Sequence, residues 1–433
     1  MTDTHLSAQP ESKLSAGAFY RLVWKWHFLA SLYVLPFMLI LSITGGIYLF
    51  KPQIEEWLYA DRLNVEITGP ALPYAAQIDA VRESAGITRL RGITTEDRPG
   101  RTTLIEFNDA DKTRSYAWVN PYTADVLAIT PREDTAMRVV KNIHGALLGG
   151  SIGTKFVELA AHWAIVMFIT GIYLWWPRGE RRWRDVLSLP RGAGRPWWRQ
   201  AHLLVGGLAF VLIMPLLASG LPWTDVWGGG LSYVQEQTGQ KSKSLRFGGG
   251  VPNSVAQSGD TIPAETVFDI ARAQGLVAPY ELRPPKNNKA AYWIRSASRN
   301  RFEQTELIID QYSGDVLKRH EFSDNPAVAK TVSLGISFHQ GELYGIANLV
   351  QNTLAALLGV ALSVTGFVAW WKRRPKGTLG VPAAPTAALS SGMGILIIGL
   401  MIFLPLMGAS LVLALVLDWL VFKRLGWFQA QTA

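Results

Sequence analysis

The chain has 433 residues, a formal net charge of +9, 49% hydrophobic residues and no cysteine. It is too long for one soluble core and too polar to lie wholly in a bilayer. The lack of cysteine excludes disulfide staples, thiolate-held zinc or iron–sulfur clusters and C-x-x-C-H attachment of covalent haem, so any haem must be held by side-chain ligation alone.

Residues 1–17 are polar and aperiodic, with His5 among them, and are expected to form a disordered cytoplasmic tail. Segment 18–50 opens on Trp24-Lys25-Trp26-His27, carries a first membrane span over roughly 28–50 and closes on Thr44-Gly45-Gly46. Its apolar core is too long for a cleaved signal peptide and lacks an A-x-A site, so it is read as a span. Residues 51–143 then switch period. A helix is predicted over 74–85, followed by strands at 89–95, 102–107, 116–120 and 125–129, with breakers such as Arg98-Pro99-Gly100 between them.

Segment 144–176 begins at His144 and holds a second span, 156–176, ending in Thr170-Gly171 and Trp175-Trp176. The loop at 177–200 carries Arg178, Arg181, Arg182, Arg184, Arg191, Arg195 and Arg199 against only Glu180 and Asp185. A third span, 201–221, contains His202 and Ser219-Gly220. Residues 222–338 open on Pro222-Trp223-Thr224-Asp225-Val226-Trp227 and a Gly-rich insertion reaching to 262, of which the Trp223–Trp227 part is read as a binding loop. A helix at 264–274 and strands at 280–283, 290–296, 305–310 and 315–322 follow. Segment 339–371 starts at His339 and holds the fourth span, 353–371; a basic loop, 372–392, leads to a fifth span at 393–418 and an outer tail at 419–433.

Each span has about the 20 apolar residues needed to cross roughly 30 Å of hydrocarbon, and Trp pairs sit at several span ends as aromatic belts do. Basic loops face the cytoplasm, which places 51–143 and 222–338 outside, the N terminus inside and the C terminus outside. The positive charge is therefore topological, and nucleic acid is not implied.

The chain is internally duplicated. Residues 141–178 recur without a gap at 337–372, so that His144 falls on His339, Thr170-Gly171 on Thr365-Gly366 and Trp175-Trp176 on Trp370-Trp371. His27 with Thr44-Gly45 matches His202 with Ser219-Gly220 in the same way, and Tyr122-Thr123-Ala124-Asp125 matches Tyr312-Ser313-Gly314-Asp315. Four of the chain's seven histidines thus fall into two pairs, His27 with His202 and His144 with His339. Ionisable groups in or beside spans are costly, so a functional reading is the default. Two imidazoles facing each other at one depth make a bis-histidine b-type haem site, and two such pairs make two non-covalent haems. Gly45 lies 18 residues after His27, five helical turns or about 27 Å further on. It and Gly220 are expected to clear space for the flat outer macrocycle, and Gly171 and Gly366 for the inner one. Zinc or copper transport is the metal alternative, weakened by the lack of carboxylates, Met clusters or Cys in the spans. His162, inside the second span with Glu158 at i, i+4 spacing, is a rival to His144 for the outer site; a hydrogen bond between His162 and Glu158 is expected. His320 is expected on a solvated strand face.

These residues resemble the PepSY-associated transmembrane family of bacterial inner-membrane proteins. The resemblance rests on Trp26-His27, Thr44-Gly45-Gly46, Ile143-His144-Gly145, Phe338-His339-Gln340-Gly341, residues 170–177, residues 222–228 and the two α+β segments. It implies an α-helical membrane protein with five transmembrane helices, four of them a pseudo-twofold haem-binding bundle, plus two periplasmic α+β PepSY-like domains. It further implies a dihaem reductase that delivers electrons to a ferric siderophore or other ferric chelate in the periplasm and releases Fe(II). The cytoplasmic parts are short basic loops, so the donor is expected to be a separate cytoplasmic protein or a quinol. Trp223, Trp227, Arg98, Arg101 and Tyr122 are candidate contacts to the chelate. The alternative is a non-redox sensor or regulator whose PepSY-like domains bind a peptide or protein partner.

Overall fold

The structure, a computed structural model, describes residues 16–180, 182–245, 251–255, 260–382 and 391–420. The N-terminal tail with His5, Arg181, Gly248-Gly249-Gly250 and the end of the chain lie outside them. In chain order the helices are α1 (Ala16–Leu49), α2 (Lys51–Leu58), α3 (Ala60–Leu63), α4 (Tyr74–Ala85), α5 (Ala136–Ala146), α6 (Gly150–Trp175), α7 (Trp183–Leu187), α8 (Arg195–Gly220), α9 (Val226–Gln237), α10 (Ala264–Ala273), α11 (Ala327–His339), α12 (Ile346–Trp371), α13 (Ser391–Phe403) and α14 (Pro405–Leu417). The strands are β1 (Arg89–Thr95), β2 (Thr103–Asn108), β3 (Arg114–Val119), β4 (Val126–Pro131), β5 (Tyr280–Arg283), β6 (Tyr292–Ser296), β7 (Thr305–Ile309) and β8 (Val316–Glu321). The chain divides into two compact units, one made of residues 1–45, 144–230 and 353–433, the other of 46–143 and 231–352.

In the first unit α1, α6, α8 and α12 are the four helices, among the described residues, long and apolar enough to cross a membrane. Small residues let neighbours approach closely, as they do where helices pack in lipid. A Cβ on Gly359 of α12 would overlap the Ser42 hydroxyl of α1, and one on Gly207 of α8 would lie 3.1 Å from the Trp175 ring of α6. Gly206 of α8 faces Leu362 of α12, and the Tyr33 hydroxyl of α1 donates to the Phe156 carbonyl of α6. The contacts close a four-helix ring around Phe168, Ala209, Ile213 and Ala355.

The segment expected as a fifth span, 393–418, forms two helices, α13 and α14, of 13 residues each. Thirteen residues rise only about 20 Å, short of a crossing. Pro405 lacks an N–H and restricts the residue before it, and Leu404 accordingly leaves helical geometry at φ −119°, ψ 75°. Gly408 then lies so near Met401 that a Cβ would be 2.8 Å from its carbonyl oxygen.

The second unit joins the two expected α+β segments into one eight-stranded antiparallel sheet, in the order β4-β3-β2-β1-β5-β6-β7-β8. The join is β1 against β5, with Ile93 opposite Leu282 and Thr95 opposite Tyr280. Gly92 is required there, because a Cβ would stand 3.0 Å from the Leu282 carbonyl oxygen. Pairing in this way removes the exposed edge that each half would present alone. Alternation along the strands sends Ile105, Phe107, Ala117 and Val119 to one face, against Val81 of α4. Ile294, Leu307 and Ile309 pack likewise with Val267 and Phe268 of α10. Tyr74 and Phe268, ring centroids 4.9 Å apart, link the two helices.

Candidate cofactor-binding histidines

Three of the four paired histidines lie in the bundle unit, and each meets a Thr-Gly pair on a neighbouring helix. His27 Nδ1 of α1 is 3.0 Å from Thr170 Oγ1 of α6. His144 Nδ1, at the end of α5, is 3.1 Å from Thr44 Oγ1 of α1. His202 Nδ1 of α8 is 3.4 Å from Thr365 Oγ1 of α12. The following glycine lies against the Cε1 side of the ring in each case: a Cβ on Gly171 would sit 3.3 Å from His27 Cε1, one on Gly45 3.0 Å from His144 Cε1, and one on Gly366 3.0 Å from His202 Cε1.

The hydroxyls favour one tautomer. A threonine hydroxyl has one hydrogen, and each of the three donates to the carbonyl four residues earlier: Thr170 to Val166 at 2.9 Å, Thr44 to Ile40 at 2.7 Å and Thr365 to Ala361 at 2.7 Å. The oxygen is then left to accept, which favours the proton on Nδ1 and the lone pair on Nε2. The carbonyls of Met167, Leu41 and Leu362, one turn before each threonine, lie within reach of the same rings and can only accept. An Nδ1–H bonded to the protein is the arrangement that orients a metal-binding imidazole.

His27 and His202 lie near enough in the bundle for a charge on one to be felt by the other. Both are only half-buried, although helices surround them, and neither Nε2 has a hydrogen-bond partner among the described residues. Two imidazoles oriented in this way in one bundle have the chemistry of metal ligands. Among the described residues no group of three His, Cys, Asp or Glu forms a metal cage.

The helical spacing assigns Gly45 and Gly220 to the outer level and Gly171 and Gly366 to the inner one. Gly45, Gly171 and Gly366 do stand at the level of the opposite pair, but imidazole rings take the space a Cβ would need. Gly220 belongs to the bundle unit and His339, the last residue of α11, to the sheet unit. Asn352 Nδ2 donates to the main-chain carbonyls of Phe338 at 2.6 Å and His339 at 3.2 Å, fixing the end of α11.

A family model described as PepSY-associated TM region matches residues 24–373. The chain belongs to that family. No curated protein matches it significantly.

Within this PepSY-associated region, residues 222–228 anchor the start of α9. Glu158 of α6, fully buried, accepts from Val226 N at 2.9 Å and Trp227 N at 2.7 Å, the first amides of that helix. A carboxylate is favoured there by the open N–H groups and the helix dipole. Gly228 must be glycine, since a Cβ would stand 2.6 Å from the Pro222 carbonyl oxygen. Asp225 reaches the Thr154 hydroxyl, and Trp227 packs on Phe403, ring centroids 6.0 Å apart. Glu158→Ala leaves two main-chain N–H groups without their acceptor and is expected to lower stability by about 2 kcal/mol, with Glu158→Gln losing less. Thermal melts of the purified protein check this, and an unchanged midpoint in the alanine variant refutes the anchor.

His162 is also fully buried, yet neither ring nitrogen has a hydrogen-bond partner among the described residues. The expected hydrogen bond to Glu158 is not formed; the separation is 3.7 Å, beyond bonding range. His162 has no Thr-Gly contact, which separates it from the three oriented rings. His320, expected on a solvated face, is buried beside Asn325 at 3.3 Å.

Two of the candidate chelate contacts are occupied within the protein. Arg101 is enclosed by Glu56, Glu96 and Asn64, and the Tyr122 hydroxyl accepts from Gly100 N at 2.9 Å. Exposed Arg98 pairs with Glu96 at 3.4 Å.

Proposed function

We propose that this protein is a transmembrane electron-transfer protein in which His27 and His202 hold one b-type haem near the cytoplasmic face and His144 and His339 hold a second near the outer face. The observation that carries the proposal is the Thr-Gly contact repeated at His27, His144 and His202. A histidine kept only for packing needs no repeated device that sets its tautomer and leaves Nε2 basic.

The residues fit the group. Bis-histidine ligation requires two neutral imidazoles bound through one nitrogen while the other is held by the protein, and His27 and His202 meet both conditions in one bundle. For the second pair the support is the duplication, which matches His339 to His144, and Asn352, which fixes the main chain at His339.

Bound there, haem supplies reversible one-electron chemistry between Fe(III) and Fe(II), with potential set by axial ligands and burial. The protein's residues hold the rings in register: Thr170, Thr44 and Thr365 hold the Nδ1 side of each ring, and the adjoining glycines leave the room each ring occupies. No general base or nucleophile is required. The acceptor in this proposal is a periplasmic ferric siderophore or similar ferric chelate, released as Fe(II). The donor is a separate cytoplasmic protein or a quinol, and the membrane is the bacterial inner membrane.

Protein purified from haem-replete cells is expected to show a Soret band and about two b-type haems per chain. Adding a ferric chelate to the reduced protein is expected to reoxidise it. A colourless preparation refutes the proposal and leaves a non-redox sensor.

A further inference from the structure

The two halves of the eight-stranded sheet differ on the face away from α4 and α10. The separation between Tyr122 and Tyr312 in the repeat carries Trp118 to Ile308 and Tyr116 to Glu306. Register agrees, because Leu104 lies opposite Trp118 and Trp293 opposite Ile308.

In the second half that face is filled by the chain itself. Leu245 packs on Trp293 and Ile308, with Val251 beside them. Glu306 holds the segment down, accepting from Ser244 Oγ at 2.7 Å and Leu245 N at 2.6 Å. Ser244, Leu245 and Val251 all belong to the insertion that has no counterpart in the first half.

In the first half the corresponding face opens on a cavity of about 460 Å³, within the range of small-molecule sites. Its floor is Leu104, Tyr116 and Trp118, with Tyr59 beside them; Tyr59 and Trp118 centroids are 5.8 Å apart, and Tyr116 and Trp118 centroids 6.2 Å.

The charged lining is uneven. It holds Lys51, Arg101, Arg132, Arg138 and Lys141 against Glu55, Glu56 and Glu96. Lys51 pairs with Glu55 at 3.0 Å, Arg101 with Glu56 and Glu96, and Arg132 and Arg138 share Glu133 at 3.0 and 2.8 Å. Arg138 above all holds the Glu133 carboxyl down at about 2, so both arginines keep their counter-charge. Lys141 makes no ion pair or hydrogen bond among the described residues. The surrounding protein and the charges of Arg138 and Arg132 hold its ammonium below the ordinary lysine range.

We infer that this cavity is a binding site for a small aromatic carboxylate, whose ring lies on the floor of Tyr59, Tyr116 and Trp118 and whose charge pairs with Lys141. The aromatic floor favours a flat apolar body, and the one unpaired cation among the paired ones favours a single negative charge. The inference does not depend on haem.

Titration of the full-length protein with 2-naphthoate, followed calorimetrically, is expected to give saturable binding. Uncharged 2-naphthamide, and 2-naphthoate with Lys141→Gln, are each expected to bind about tenfold more weakly or worse, while Lys141→Arg restores affinity. Leu104→Trp, which copies the second half, is expected to fill the cavity and abolish binding with Lys141 intact. No saturable binding by the unaltered protein overturns the inference. So does equal affinity in Lys141→Gln, and so does undiminished binding in Leu104→Trp.

Discussion

Alanine at His27 or at His202 is expected to remove one b-type haem and spare the other, taking the content from about two per chain to about one. A single imidazole does not replace a bis-histidine pair, so either substitution has the same consequence and the double variant adds nothing further. The pyridine haemochrome of purified protein, normalised to protein concentration, reads this directly; retention of both haems in the two variants refutes the ligand assignment. The positioning residue gives a graded control. Thr170→Val keeps the volume but removes the oxygen that accepts from His27 Nδ1. It is expected to weaken haem retention about 10- to 100-fold without altering the fold, an effect that a purely structural threonine would not have.

The alternation of apolar and polar residues placed the strands to within a residue or two, since a sheet with one covered face must repeat every second residue. Ile105, Phe107 and Ala117 were legible for that reason. The union of the halves across β1 and β5 was not, because edge pairing is made by main-chain groups that every residue carries, and only Gly92 hints at close approach. The break within 393–418 is invisible to hydropathy, which counts apolar residues, while Pro405 acts through the missing N–H and the conformation it imposes on Leu404.

At the candidate site, spacing found the histidines and the correct depth of the glycines, since rise per residue is fixed along a helix. It could not say what the glycines touch. Whether a small residue faces a ring from the next helix or an absent group depends on rotation and packing, and these are set by contacts such as Gly359 on Ser42 and Gly207 on Trp175. The threonine beside each glycine carried the missing signal: a hydroxyl already committed to its own helix becomes an acceptor for a neighbour. Glu158 was visible as a buried charge in a span, but its partners are main-chain amides of Val226 and Trp227, which side-chain patterns do not encode.

Gly153→Ala is expected to dislodge His144. α5 ends at Ala146 and the chain turns through Leu147 and Leu148, both left-handed at φ 48° and 59°, before α6 begins at Gly150. The turn is closed by Gly149 N donating to Ala146 O at 2.7 Å. Gly153 passes directly over that carbonyl, so that an added Cβ would overlap its oxygen and lie 2.7 Å from its carbon. Both colliding groups belong to the main chain, and no side chain can swing aside to relieve them. Two leucines in a conformation costing about 1 to 2 kcal/mol each leave the turn little slack. The end of α5 must move, and His144, two residues before Ala146, then loses its 3.1 Å contact with Thr44. Stability is expected to fall by about 3 kcal/mol, read as a lowered thermal midpoint. Haem content is expected to drop to about one per chain, with the His27 and His202 site unaffected. Gly145→Ala is the control, because a Cβ there meets nothing within 4 Å and alanine suits a helix better than glycine; it is expected to change neither reading. The pair of variants also decides between the two histidines of this segment. His162 sits within α6, on the far side of the turn, so a second haem that survives Gly153→Ala while the thermal midpoint falls would assign the outer ligand to His162 and not to His144.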